Sequence, residues 1–219
     1  MIIHIGNILL ALILLSVLLS LRTNRLMALV KLMAFQGIMV STVPLFSSSE
    51  HEITFGLVLF FLFMVLVKGL CIPVMMAVAV KRVIADREIE PIIGYHASLF
   101  AGLIMIVFSM YLINHLQLSL LLPGHRLLLV TAVTTMGAGL ILLMARRKAI
   151  TQVIGYLMME NGIYLIGTAL AGKIHHQYLV EFSILLDLLV AVLVMGIVLN
   201  DIHHTFDDVD TGLMGRLKD

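Results

Sequence analysis

The sequence predicts an all-α fold, a polytopic membrane protein with about seven transmembrane helices. Of its 219 residues, 61% are hydrophobic and only 12% are charged, and the mean hydropathy is +1.12. A soluble domain is nearer half apolar and a quarter charged. The apolar residues also form long runs, and a helix needs about 20 such residues to cross a hydrocarbon core of roughly 30 Å. The chain has no sizeable polar region, so a self-contained enzyme is not expected.

Seven apolar runs define the predicted spans. In chain order they cover about Ile3–Leu21, Leu26–Phe46, Ile53–Val80, Ile92–Ile113, Arg126–Ala145, Ile150–Ala171 and Tyr178–Leu199. Each of the first six spans ends where a polar or charged segment interrupts the hydropathy. These segments are, in the same order, Arg22–Arg25, Ser47–His51, Lys81–Pro91, Asn114–His115, Arg146–Lys148 and Lys173–His176, and the seventh span runs into a polar tail.

The basic residues between the spans predict the orientation of the chain. Ten of them follow spans one, three and five or lie in the tail, and two lie on the opposite side of the membrane. The ten are Arg22, Arg25, Lys81, Arg82, Arg87, Arg146, Arg147, Lys148, Arg216 and Lys218, and the two are Arg126 and Lys173. Because cytoplasmic loops carry the excess of Lys and Arg, we expect the N-terminus outside and the C-terminus in the cytoplasm.

The pattern of spans also suggests an internal repeat. Arg22–Ile38 aligns with Arg147–Ile163, and Phe63–Met76 aligns with Phe182–Met195. Both units would begin on an odd-numbered span, so the repeat would be parallel, although apolar sequences also match by chance. The predicted units are residues 1–91 (three spans), 92–125 (a linking span and outer loop), 126–200 (three spans) and 201–219 (a cytoplasmic tail).

Three ionisable residues lie deep inside the predicted spans: Lys68, Glu160 and Asp187. Lys68 is about 20 Å from either end of its span at 1.5 Å per residue, which is too far for its side chain to reach water. Each such residue costs on the order of 2.5–3.5 kcal/mol at a helix centre. One interpretation is a paired polar contact that fixes helix packing. The other is a proton or ion relay, in which Gln36 and Asn161 orient water.

Other polar residues fit simpler explanations. Lys31 lies five residues into span two and can reach the cytoplasmic surface, and His96 is either a solvated or capping residue or an extension of a proton path. Pro73 predicts a kink beside Lys68. The single cysteine, Cys71, excludes a disulfide within the chain and a Cys-ligated cluster or zinc site. No intramembrane histidine pair is present to bind haem, and we predict no cofactor, no metal and no nucleic-acid partner.

Two segments resemble a known family. ARRKAITQVIGYLMMENGIYL (residues 145–165), followed by ILLDLLVAVLVMGIVL (residues 184–199), is similar to the hydrogenase-4 component E family. The last three spans are similar to the K subunit of respiratory complex I and to the C subunit of Mrp-type antiporters. In the K-subunit pattern two helix-borne glutamates carry the central charge axis. Asp187 falls at the second of these positions, whereas Leu157 occupies the first, with Glu160 one turn further along.

The resemblance implies a non-catalytic membrane subunit of a group 4 NiFe hydrogenase or formate hydrogenlyase-type complex in a prokaryotic plasma membrane. Lys68, Glu160 and Asp187 would carry coupling to proton or sodium movement, and the partners would be antiporter-like subunits. Two alternatives stay open. The chain could be a component of an Mrp-type cation/proton antiporter without a hydrogenase, or a structural scaffold of the membrane arm.

Overall fold

The computed structural model describes residues 2–47, 55–83, 93–116, 126–146 and 148–170, together with residues 190, 192 and 196. Every regular element within the five continuous ranges is helical. The α-helices are α1 (Ile2–Arg22), α2 (Leu26–Ser47), α3 (Phe55–Leu66), α4 (Ile72–Val83), α5 (Tyr95–His115), α6 (Arg126–Ala145) and α7 (Ala149–Leu170), and a π-helical turn (Val67–Cys71) joins α3 to α4. The all-helical fold class is therefore confirmed.

The first six predicted spans coincide with these helices, and within the described residues five helices are long and apolar enough to cross a membrane. The five are His4–Arg22, Leu26–Phe46, Phe61–Lys81, Tyr95–His115 and Arg126–Ala145. Helix α7 is 22 residues long and corresponds to the sixth predicted span. The tail lies outside the described residues, as does the seventh span apart from residues 190, 192 and 196. The chain is a multi-pass membrane protein, while the count of seven, the repeat and the division into units stay predictions.

Span three is continuous but irregular. Pro73 has no amide hydrogen, and its ring would clash with the carbonyl four residues earlier in a regular helix. The turn that precedes Pro73 is widened into the π helix Val67–Cys71, closed by a hydrogen bond from the Ile72 amide to the Val67 carbonyl. A single π turn inside an α-helix accommodates one extra residue. The irregularity that Pro73 predicts is therefore a π turn, and Lys68 lies inside it.

Glycines hold α6 and α7 together. A Cβ atom added to Gly139 would lie 2.4 Å from the Met159 amide nitrogen, and one added to Gly155 would lie 2.7 Å from the Leu143 amide nitrogen. At Gly162 the corresponding distance, to the Met136 amide nitrogen, is 2.5 Å. Small residues allow such backbone contact between membrane helices, where dispersion rather than the hydrophobic effect drives association. The glycine contacts fix α7, and with it the polar residues that precede Gly162, against α6.

Helix α5 packs through its small residues and exposes its large ones. Ser98, Gly102 and Ser109 are buried, and the Ser109 hydroxyl lies 2.9 Å from the Thr134 hydroxyl of α6. Phe100 and Val107, by contrast, are 65% and 68% exposed. Exposed apolar side chains are ordinary in a bilayer, because lipid tails are as apolar as these side chains. The core of the described residues draws mainly on α1, α2, α4, α6 and α7, and α5 contributes Ile113.

Candidate functional site

The candidate site forms where the π turn crosses α2. A Cβ atom added to Gly37 would lie 2.7 Å from the carbonyl oxygen of Lys68, which is closer than any side chain tolerates. A Cβ atom added to Gly69 would lie 2.6 Å from Cγ1 of Ile38. Each helix therefore presents a glycine to the other, and their backbones touch. This contact fixes the backbone from which the Lys68 side chain extends.

Helix α7 supplies the acidic partner. Glu160 and Asn161 directly precede Gly162, whose contact with α6 holds this turn of α7 in place. Lys68 donates a hydrogen bond from Nζ to Oε1 of Glu160, and the two residues form an ion pair. The side chain of Lys68 is 3% exposed and that of Glu160 is 1% exposed. Both formal charges are thus removed from solvent and neutralise each other.

An aromatic ring also lies beside the ammonium group. Nζ of Lys68 lies 5.5 Å from the centroid of the Tyr164 ring. Tyr164 is half-buried and follows Glu160 by four residues, so the carboxylate and the ring lie on the same face of α7, one turn apart. A cation within about 6 Å of an aromatic centroid is attracted by the ring quadrupole.

Two buried amides add polar atoms to this region. Gln36, which precedes Gly37, is fully buried, and Asn161 is 1% exposed. Among the described residues, neither amide atom of Gln36 has a hydrogen-bond partner, and Nδ2 of Asn161 has none. Buried polar groups in this state commonly bind internal water, which makes about three hydrogen bonds per molecule. These amides are therefore suited to hold water between the helices.

The remaining residues singled out in the sequence are placed elsewhere. The side chains of Lys31 and His96 are exposed, whereas both members of the ion pair are buried. Asp187 lies outside the described residues, so its predicted place in the charge axis stays a prediction. Leu157, at the position where the K-subunit pattern has a glutamate, is 2% exposed and belongs to the hydrophobic core. Glu160 rather than position 157 therefore provides the acid on α7.

Sequence analysis missed Tyr164 and Arg146. The only available signal for Tyr164 was its spacing of four residues from Glu160. Arg146 was counted as a loop charge, yet it is fully buried, and its Nη2 donates to the carbonyl of Leu21 at 2.9 Å. Its guanidinium carbon lies 4.5 Å from the centroid of the Tyr95 ring. Burial lowers the pKa of Arg146, and the phenol of Tyr95 partly opposes that effect.

Arg146 connects the ends of several helices. The carbonyl of Leu21 lies in the last turn of α1, where helix carbonyls have no partner within the helix. Gln152, near the start of α7, donates from Nε2 to the carbonyl of Arg146 at 3.3 Å. Arg146 thus joins the end of α1, the start of α5 and the turn between α6 and α7. Nothing in the hydropathy distinguishes it from its basic neighbours.

A metal centre finds no support in the part of the chain that the structure describes. No group of three or more His, Cys, Asp or Glu side chains there could hold a metal ion. The chemistry that the described site offers is that of a buried carboxylate, an ammonium group, an aromatic ring and two amides.

Comparison with known proteins identifies distant relatives. The chain is 24% identical to hydrogenase-4 component E of Escherichia coli K12 over 151 residues, which cover 69% of this chain and 68% of that protein. The chain is distantly related to hydrogenase-4 component E. The same identity and coverage hold for the component E proteins of Escherichia coli O157:H7 and Shigella flexneri.

A second relative covers more of the chain. An uncharacterized protein of Mycobacterium tuberculosis is 29% identical over 214 residues, which cover 95% of this chain and 93% of that protein. No family model matches the chain, and no solved structure is significantly similar to it. The predicted similarity to component E is thus confirmed as a distant relationship, at 24% identity. The similarity of the last three spans to complex I and Mrp subunits stays a prediction.

Proposed function

We propose that the chain is a non-catalytic membrane subunit of a complex I-like, hydrogenase-type complex. Two findings support this proposal: the similarity to hydrogenase-4 component E, and the five described helices that are long and apolar enough to cross a membrane. The nickel–iron and formate-linked chemistry that the resemblance implies would reside on other chains. Antiporter-like membrane subunits would be the neighbours of this chain. It would lie in a prokaryotic plasma membrane, with its N-terminus outside and its C-terminus in the cytoplasm.

We further propose that the Lys68–Glu160 pair takes part in proton or sodium translocation through the membrane arm. The observation that carries this proposal is the burial of the pair between the π turn and α7. Removing two charges from water costs several kcal/mol each, and a well-packed apolar pair is often at least as stable. For stability alone, an apolar pair would therefore serve at least as well as the ion pair. A charge relay, by contrast, requires ionisable groups at this depth.

The supporting residues have defined places in this proposal. Gln36 and Asn161 would hold the water through which a proton reaches or leaves the pair. Asp187 would continue the charge axis towards a neighbouring subunit. Lys31 and His96, whose side chains are exposed, would act at the cytoplasmic side, where His96 could pass protons to the interior.

Isolation of the tagged chain from native membranes tests its membership of a complex. The expected result is copurification of a NiFe-containing subunit with antiporter-like membrane subunits. Copurification of antiporter subunits alone would instead favour the Mrp-type alternative. Isolation of the chain by itself, under conditions that preserve other membrane complexes, would contradict both assignments.

Substitution of the acid tests the role of the pair. Glu160→Gln keeps the size and the polarity of the side chain but removes its charge. We expect the complex to assemble in reduced amount, and the assembled fraction to turn over with impaired ion translocation. Exposed Arg126→Gln serves as a comparison, because it removes one charge at a residue outside the proposed relay. Unimpaired translocation by assembled Glu160→Gln complexes would refute the relay proposal.

A structural scaffold is the second candidate, and the formed contact between Lys68 and Glu160 favours it. If the pair only locks the π turn to α7, either single substitution leaves a buried charge unpaired and prevents assembly. The double variant Lys68→Met/Glu160→Leu removes both charges and should restore assembly, because apolar residues of similar volume often replace a buried pair without loss. The scaffold interpretation requires this restored complex to translocate ions normally.

A further inference from the structure

Tyr164 provides an aromatic contact for the Lys68 ammonium group. Its ring centroid lies 5.5 Å from Nζ, and the carboxylate of Glu160 meets the same nitrogen. Glu160 and Tyr164 belong to one rigid helix and are separated by one turn. Lys68 comes from a different helix, so the acid and the ring approach it as one preformed surface of α7.

We propose that Tyr164 is a positioning residue that holds Lys68 in its charged form beside Glu160. The inference rests on the proposed role of the pair in ion translocation. The face of an aromatic ring attracts an ammonium ion but has no comparable attraction for a neutral amine. Tyr164 therefore favours the charge-separated pair over the neutral pair.

The competing state of the pair is simple to define. A proton passes from Nζ of Lys68 to Oε1 of Glu160, so that one N–H bond breaks and one O–H bond forms. The products are a neutral amine and a neutral carboxylic acid, and total charge is unchanged. In a medium of low dielectric this neutral state competes with the ion pair, because desolvation penalises both charged groups. Since the ring attracts Lys68 only in its charged form, it shifts the equilibrium towards the ion pair.

The aromatic ring of Tyr164, and not its phenolic hydroxyl, attracts the ammonium group of Lys68. Tyr164→Phe keeps the ring in place and removes the hydroxyl. Tyr164→Leu removes the ring and leaves an apolar side chain of moderate size, and Tyr164→Met offers a second ring-free variant with a more adaptable side chain. Exposed Tyr111, which stacks on His115 rather than on Lys68, supplies a matched control as Tyr111→Leu.

The decisive readout is the protonation of Glu160, measured by infrared spectroscopy. The full chain is purified from membranes with the subunits that accompany it, and the carboxylic acid C=O band of Glu160 is assigned in Tyr164→Leu by its disappearance when Glu160→Gln is added. A contact worth about 1.4 kcal/mol corresponds to a tenfold change in an equilibrium. We therefore expect a roughly tenfold rise in the ratio of neutral to ionised Glu160 in Tyr164→Leu and Tyr164→Met. Tyr164→Phe and Tyr111→Leu should match the unmodified chain.

The outcomes separate this inference from the proposed function. Equal Glu160 bands in the unmodified chain and both ring-free variants would overturn the positioning role, and so would a Tyr164→Phe band as strong as that of Tyr164→Leu. A stronger band without any loss of ion translocation would uphold the positioning role and contradict the relay. If Tyr164 acts through Lys68, adding Tyr164→Leu to Lys68→Met should cause no further loss of translocation. An additive loss would contradict the inference.

Discussion

Replacing Gly37 by alanine tests the contact that places Lys68. The added Cβ atom would lie 2.7 Å from the Lys68 carbonyl oxygen, about 0.7 Å short of the 3.4 Å at which ordinary contact begins. It would also lie 3.1 Å from the carbonyl carbon of the same residue. Both atoms belong to the backbone, so rotation of a side chain cannot relieve the clash. Helix α2 must therefore move away from the π turn.

The expected cost follows from this geometry. Overpacking typically destabilises a protein by about 1–3 kcal/mol. Alanine in a helix is about 1 kcal/mol more favourable than glycine, which offsets part of that cost. Because the clash is with backbone atoms, we place the overpacking cost at the upper limit of about 3 kcal/mol, which leaves a net loss near 2 kcal/mol for Gly37→Ala. Gly6→Ala in α1 is the matched control, because its Cβ atom would lie 3.7 Å from the nearest atom of Phe46 and would clash with nothing.

Thermal unfolding of the two variants, purified with their associated subunits, provides the assay. For a chain of this size a loss of 2 kcal/mol corresponds to a fall in Tm of roughly 4–8 °C. Gly6→Ala should unfold at the same temperature as the unmodified chain or slightly above it. If Gly37→Ala is as stable as Gly6→Ala, the close approach of α2 and the π turn is not a feature of the folded protein.

Three further substitutions have expected outcomes. Glu160→Gln should destabilise the chain by about 3–5 kcal/mol, because Lys68 is left as an unpaired buried charge, and chemical unfolding would measure it. Arg146→Lys should cost about 1–3 kcal/mol, because lysine lacks the planar fork that both stacks on a ring and donates to a carbonyl. The control Arg126→Lys, at an exposed position, should change the free energy of unfolding by less than about 0.5 kcal/mol. If both variants lose equal stability, Arg146 does not hold the helix ends together. Gly162→Ala should separate α6 from α7 and lower the Tm by at least as much as Gly37→Ala, whereas an unchanged Tm would contradict the packing of these helices.

The helices were predictable because the chain separates apolar and polar residues clearly. The basic segment Arg22–Arg25 ends α1, and the predicted span Arg126–Ala145 has the same limits as α6. Hydropathy reports where a helix can remain in lipid, and these boundaries follow from it directly. The same signal says little about which helix packs on which. The glycine contacts between α6 and α7, for example, are visible only in the structure.

The sequence identified Lys68 and Glu160 as residues of the site, but not that they pair with each other. The depth of Lys68 and Glu160 marked both as residues that need a partner, since neither can reach water. The repeat alignment makes Lys68 equivalent to Asp187 but gives it no partner, and the structure pairs Lys68 with Glu160, 92 residues away. A π turn adds one residue to the helix and so rotates the residues after the turn by roughly 100° about the helix axis. Helix periodicity alone therefore could not give the direction of Lys68.

Two contributions had no usable signal in the sequence. Arg146 belongs to a run of three basic residues, and nothing in that run shows that one of them caps α1 from a buried position. Tyr164 has the spacing of a neighbour of Glu160, but the same spacing occurs throughout any helix. Tyr164 lies beside an ammonium group only because Lys68, on another helix, packs against this part of α7. Contacts between distant segments are left undetermined by hydropathy and spacing.

Ion translocation by the double variant Lys68→Met/Glu160→Leu tests the central claim most directly. The variant removes both charges of the pair together, so neither is left buried without the other, and the complex should assemble. The measurement is the number of ions moved across membrane vesicles per redox turnover of the same vesicles. A charge pair that serves in the relay predicts an assembled complex in which this ratio falls close to zero. An assembled complex with an unchanged ratio would contradict the claim and leave the pair with a purely structural role.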